Sequence, residues 1–438
     1  MPANKTLDAK GFVKNLAGFS MGTWIGAVIN FAVVPLATRL YAPEQLGSIE
    51  LFITTLNLIA MFITLGLDQA YVRYYNEPPG GYTHRQLLTR CVTGTVCVWA
   101  AVSAGIFLLR DYISVYIANV SGSFIAVMLI GNLLATAVIR YLNLTFRMQN
   151  NIRGYTLQAV MMVFFGKVFY VAAAVFDSTY RGAILVNTLT MLPLMLIYAF
   201  LQRDNFDRSG IRPKKEVDLP LLGYALPLMP VAVFTWLNDS AAKYFIKLFS
   251  KTGLSNVAIF SSAARLTAIL ALIQTGFNTY WVSFVYQNYK SEQNKIKSIH
   301  DYISALMFIM AVAIIAAEDI VFLFLGEGVR GGMAYFPFLM ITPVLYTISE
   351  TTCIGINLSK KTHLHIITSG LAMAANLGVC LLLIPRFGDL GGAVAVGCSG
   401  LVMFITRTLF GQREYKSVAS PAKTGLSTAV FIVFCFFS

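Results

Sequence analysis

Twelve apolar runs, most close to the twenty or so residues that a helix needs to cross hydrocarbon, follow one another along the chain with short polar breaks. They fall at roughly 15–38, 47–67, 91–109, 122–139, 154–176 and 182–201, then at 220–242, 256–286, 301–317, 333–357, 365–385 and 391–406. In lipid every backbone N–H and C=O must be bonded within the protein, so serial runs of this length read as helices. The expectation is an all-α polytopic membrane protein of about 12 transmembrane helices. A last apolar stretch, Thr424 to Phe437, reads as a partial span, an interfacial helix or the stub of a longer parent.

The breaks orient the bundle. With the N-terminus inside, the inner segments hold 23 Lys and Arg residues and the outer segments 8. Such a bias over short loops marks the cytoplasmic side. The net charge of +13 therefore reads as orientation signal rather than as a nucleic-acid surface, because the basic residues form no stripe or tail. Composition closes the soluble alternative: 57% of residues are hydrophobic and 12% charged, about half the charged share of a soluble domain. The six cysteines make no CxxC pair and read as small buried hydrophobes. The first run is too long for the core of a signal peptide and is expected to stay in place.

The longest inner loop, Gln202 to Leu219, carries five basic residues and falls between the sixth and seventh spans. It divides the chain into an N-lobe (1–201), a cytoplasmic linker (202–219), a C-lobe (220–411) and a C-terminal segment (412–438). A weak repeat at an offset of 210 supports two six-helix lobes around a central cavity. Ile49, Leu56, Ile59, Ile63, Gly66 and Val72 recur as Ile259, Leu266, Ile269, Ile273, Gly276 and Val282. Matching spans run in the same direction, so the repeat would be related by an axis along the membrane normal.

The loops argue against catalysis. The longest outer loop has about 15 residues, too few for the outer domain that sugar-transferring membrane enzymes use. There is no nucleotide-binding G-x-x-x-x-G-K-[ST] loop and no H-E-x-x-H site, so no cofactor or metal is expected. The four histidines, His84, His300, His363 and His365, read as solvated loop residues.

Ionisable groups inside a membrane are costly unless they face a cavity or a partner. Lys167 lies in the fifth span and Arg265 in the eighth, one in each proposed lobe. The functional reading places both on a central cavity, where they attract an anion; the structural reading pairs each with a buried carboxylate or carbonyl. Glu50, Asp239 and Glu350 are candidates for a coupling proton. Asp239 and Lys243, four apart, suggest a plain ion pair on one helix face. Pro35, Pro193, Pro227, Pro230, Pro337 and Pro343 mark possible hinges. The aromatic clusters Tyr71–Tyr74–Tyr75 and Tyr280–Trp281–Tyr286–Tyr289 read as an interfacial belt.

Several motifs are familiar as a set. Asn15 and Gly18 precede Pro35-Leu-Ala-Thr-Arg39-Leu-Tyr-Ala-Pro43-Glu44-Gln-Leu-Gly47, and Gly66-Leu-Asp68 and Arg73-Tyr-Tyr75 follow. Trp236-Leu-Asn-Asp239, Leu254-Ser-Asn-Val-Ala-Ile-Phe260 and Ala264-Arg265-Leu266 continue the set. Together they resemble the polysaccharide transporter (O-antigen flippase) family of the multidrug/oligosaccharidyl-lipid/polysaccharide exporter (MOP) superfamily. Ser240 and Phe260 depart from the family's usual Arg and Tyr. The resemblance implies a non-enzymatic flippase of the bacterial cytoplasmic (inner) membrane. Its cargo would be undecaprenyl-pyrophosphate-linked oligosaccharide, moved by alternating access with ion-gradient coupling. Membrane lipids and other polysaccharide-assembly proteins are the implied partners. Arg265 and Lys167 would supply cations for the pyrophosphate, with Arg39 at the outer mouth. Rival readings are a cation-coupled multidrug exporter, a peptidoglycan-precursor flippase, and a non-transport membrane subunit of a sugar-polymer pathway. Residues 12–38 contain no Asp or Glu, which argues against the multidrug exporter.

Overall fold

The computed structural model describes residues 9–250, 252–359, 361 and 363–438, and among them there are helices and turns but no β-strand. The main helices are α1 (Ala9–Leu40), α2 (Pro43–Thr64), α3 (His84–Leu108), α4 (Phe124–Met148), α5 (Ile152–Ala173), α6 (Tyr180–Leu201) and α7 (Lys215–Phe249). There follow α8 (Gly253–Leu266), α9 (Ala268–Asn288), α10 (Gln293–Ala316), α11 (Glu327–Thr352), α12 (His363–Phe387), α13 (Asp389–Glu414) and α14 (Pro421–Phe437). Among the described residues 11 helical segments are long and apolar enough to cross a membrane; the described apolar part of α1, Trp24–Leu40, is shorter. Each of the twelve predicted runs coincides with a main helix, 256–286 with α8 and α9 together. Most helices outrun their apolar runs: α10 begins at Gln293 and α13 ends at Glu414. Their end turns are amphipathic, which a purely apolar ruler leaves out.

The chain forms two compact units. Unit 1 comprises Met1–Val33 and Phe52–Pro230, and unit 2 comprises Val34–Leu51 and Val231–Ser438. The divisions fall inside helices: in α1 just before Pro35, in α2, and in α7 after Pro230. A 3₁₀ turn at Leu226–Leu228 interrupts α7 beside Pro227 and Pro230.

In unit 1, Gly66 adopts the left-handed conformation (φ 73°) that ends α2 and starts the short helix Leu67–Tyr74. A Cβ there would also press on the Ala225 carbonyl, so glycine answers two demands. Asp68, in the first turn of that helix, is buried and accepts from Arg140 Nε at 2.7 Å and from Gln69 Nε2 at 2.8 Å. The polar stretch 202–219 folds against α3. Gln86 Nε2 donates to Ser209 Oγ (2.7 Å), and Arg90 pairs with Asp218 (2.5 Å).

The proposed aromatic belt is only in part a belt. Tyr71 is buried, donates to or accepts from Thr145 Oγ1 at 3.0 Å and meets the rings of Tyr75 and Tyr141 edge-on. Burial pushes its phenol above the ordinary tyrosine range. Trp281 is fully buried, stacks on Phe277 and donates to the Glu350 carbonyl at 3.1 Å. Both are core residues, because their polar tips find protein partners instead of headgroups. The Tyr280 side chain lies outside the described ones.

Helix α5 contains a π turn at Phe164–Val168. The wider turn releases carbonyls from the α ladder, and α6 takes them up. Asn187 Nδ2 donates to the Gly166 carbonyl at 3.0 Å, and Thr190 Oγ1 donates to that of Phe165 at 3.3 Å.

Candidate functional site

Unit 2 gathers buried charge in two places. The first is built from three helices. Glu50 on α2 has a side chain only 3% exposed, with Lys243 Nζ of α7 at 3.8 Å and the Arg265 guanidinium of α8 in direct ion-pair contact. Arg265 occupies the last turn of α8, where the helix dipole favours a cation. The cations are 19% and 29% exposed, so they open outward over a buried carboxylate. Two cations on one anion leave the trio with one positive charge in excess. The expected Asp239–Lys243 pair does not form. Across helices, Glu50 draws the ammonium more strongly than the neighbour four residues back on the same helix. Glu50 is thus a structural counter-charge here rather than a carboxyl reaching water.

The second place joins α11 and α13. Arg407, 8% exposed, donates to Glu350 Oε1 (2.9 Å) and Ser349 Oγ (3.1 Å), and its Cζ lies 4.5 Å from the Tyr346 ring centroid. In the sequence Arg407 falls among the inner-loop cations, because the apolar run stops at Met403-Phe-Ile-Thr406. The helix continues for two further turns, and the pairing makes Arg407 a core residue.

Arg407 also borders an open cavity of about 540 Å³ lined by residues of unit 2. Polar lining comes from Thr235, Asn238 and Asp239 on α7, Gln274 on α9, and His365 and Ser369 on α12. Among the described residues Asp239 forms no ion pair, and it is open to the cavity. Asn238 is held in place: its carbonyl accepts from Asn376 Nδ2 at 2.7 Å and its side-chain oxygen from Ser399. His365 Nε2 is bound to Asn357 Oδ1 at 2.8 Å.

Two expectations for histidine are corrected. His300 is fully buried between Thr351 (2.7 Å) and Thr424 (2.9 Å), and His365 lines the cavity. His300 sits on the helix turn before its apolar run and His365 at the first residue of its own.

The other predicted cations lie apart from these sites. Arg39 is exposed and donates to the Leu323 carbonyl at 3.3 Å, an acceptor shared with Arg330. Lys167 belongs to unit 1, half-buried on the π turn of α5.

A family model described as "Polysaccharide biosynthesis protein" matches residues 12–282, more than half of the chain. The chain belongs to that family. Solved structures agree on the fold across nearly the whole length. A lipid II flippase, MurJ, in an inward closed conformation is 13% identical with a TM-score of 0.71, over 96% of this chain and 91% of that one. An inward-facing multidrug resistance MATE family transporter of the MOP superfamily is 16% identical with a TM-score of 0.63, over 95% and 99%. A MOP superfamily transporter from Pyrococcus furiosus Vc1 is 18% identical with a TM-score of 0.57, over 91% and 95%. The fold is that of the MOP superfamily transporters, and the expected membrane family and architecture are borne out. No curated protein sequence matches the chain.

The family motifs are largely fold glue. Thr38 Oγ1 accepts from the Gly326 amide at 3.0 Å. A Cβ on Gly47 would collide with the Leu254 carbonyl, so α2 and α8 meet there backbone to backbone. Glu50, one turn further along α2, gains its reach to Arg265 from that close approach.

Proposed function

We propose that this polysaccharide biosynthesis family member is a flippase. It carries undecaprenyl-pyrophosphate-linked oligosaccharide from the inner to the outer leaflet of the bacterial cytoplasmic membrane by alternating access, with its N-terminus in the cytoplasm. The observation that carries the reading is the net-positive trio of Glu50, Lys243 and Arg265. A pyrophosphate entering the membrane needs preorganised cations, and Glu50 holds two of them side by side without cancelling both. Lys167 and Arg39 are further cations along the route. Lys167 rides on a π turn, a helix irregularity that recurs at functional sites. Asp239, with no ion pair among the described residues, is the coupling carboxylate ahead of Glu50 and Glu350, which are already paired.

Transport of a fluorescent undecaprenyl-pyrophosphate oligosaccharide in proteoliposomes tests this. Arg265→Gln and Lys243→Gln are each expected to slow flipping at least about tenfold, the loss of one charge-assisted contact. Undiminished flipping by Arg265→Gln, Lys243→Gln and Lys167→Gln at equal protein levels would sink the proposal.

One observation favours a second reading. Phe234, Tyr346 and Met403 line the cavity together with Asp239, an environment that suits a flat organic cation. In that case the chain is a multidrug exporter, and ethidium efflux from cells would depend on Asp239 and survive Arg265→Gln.

A further inference from the structure

The cavity within unit 2 has the wrong chemistry for a second phosphate. Its one arginine, Arg407, is neutralised by Glu350 and covered by the Tyr346 ring, so it has no charge to spare. A prenyl or acyl chain would use the mostly apolar walls but leave unmatched the hydrogen-bonding groups that approach from three helices. Thr235, Asn238 and Asp239 stand at i, i+3 and i+4 on one face of α7, and His365 and Ser369 stand at i and i+4 on α12. Gln274 comes from α9, and the flat apolar surfaces of Phe234 and Tyr346 complete the walls.

A sugar ring has this pattern in reverse: hydroxyls around its rim and apolar C–H faces above and below. We propose that the cavity is a subsite for one pyranose ring of the oligosaccharide, a reading that rests on the flippase function above. Its 540 Å³ falls inside the ~300–1,000 Å³ range of small-molecule sites. That volume takes a sugar ring with waters, and the open side lets the rest of a lipid-linked oligosaccharide lie outside. The walls are set before binding, since Ser399 and Asn376 hold Asn238 and Asn357 holds His365. Preorganised polar groups lose little freedom when a hydroxyl docks. The trio would then hold the charge while the cavity reads the sugar.

The test uses the full chain in nanodiscs and two probes: undecaprenyl pyrophosphate, and the same lipid carrying one N-acetylglucosamine. For the wild type, the sugar should tighten binding about tenfold, the worth of one or two neutral hydrogen bonds. Gln274→Ala and Phe234→Ala should each lose most of that factor and still bind the bare lipid as the wild type does. Ser369→Ala, a smaller change on the far wall, should lose part of it; wild-type binding of the bare lipid certifies each variant's fold. The inference is overturned if the sugar adds nothing to wild-type binding, or if the three variants keep the full factor. It is also overturned if tetraphenylphosphonium occupies the cavity in a Phe234-dependent way without displacing the sugar-bearing lipid. Failure of the bare lipid to bind the wild type or to compete with any cargo would instead defeat the flippase reading, and the subsite with it.

Discussion

The two units use buried charge differently. In unit 1 the ion pairs Asp68–Arg140 and Arg90–Asp218 tie helix ends to the segments between them: the short helix after α2 to α4, and the start of α3 to the start of α7. One partner in each pair lies in or beside a connecting segment, close to where a span begins or ends. In unit 2 each cluster joins one main helix directly to another, the first with partly exposed cations and the second beside the cavity. End-tying pairs stabilise a scaffold. Embedded clusters are expensive in lipid and persist where they serve binding or motion. The buried clusters that carry the proposed function are those of unit 2.

Substitutions can break or sharpen that contrast, and their expected effects on stability descend in order. Arg407→Ala would strand the Glu350 carboxylate, at a cost of about 3–5 kcal/mol. The measurable outcome is loss of folded, monodisperse protein in detergent. Glu50→Gln would remove the carboxylate that Lys243 and Arg265 share. Their partial exposure softens this to about 2 kcal/mol, read as a lowered thermal midpoint together with abolished flipping. Asp68→Asn should cost only about 1 kcal/mol, because Arg140 is 54% exposed and water replaces its partner. Flipping should survive in that variant; its loss would remove the contrast between the units. Asp239→Asn loses no ion pair found among the described residues, so its thermal midpoint should match the wild type while ion-driven accumulation disappears.

Much of the architecture could be read before any coordinates, because helix length is set by membrane thickness and each crossing leaves a run of apolar residues. Arg265 stood out for the same reason, a cation amid Ala, Leu and Ile. Its partner did not. Glu50 is more than two hundred positions away, and only the Gly47–Leu254 contact brings α2 near α8. Lys243 was assigned to Asp239 on spacing alone, which describes an isolated helix and ignores what neighbouring helices offer. Arg407 follows the end of an apolar run, where a buried arginine and a loop arginine look identical in sequence. The cavity had no signal beyond the Trp236-Leu-Asn-Asp239 motif, since Gln274, His365 and Ser369 are unremarkable until α9 and α12 converge on α7.

The π turn in α5 has a geometric consequence. One extra residue looped into a helix puts the stretches on either side out of phase by about 100°. A bulge of this kind can migrate along its helix by exchanging one carbonyl partner for the next, without unwinding the rod. Asn187 and Thr190 fix its present address. If the loop slid by one residue, Lys167 would swing through about a quarter of a revolution while both ends of α5 stayed put. A single inserted residue would thus act as a rotary bearing for that one ammonium group.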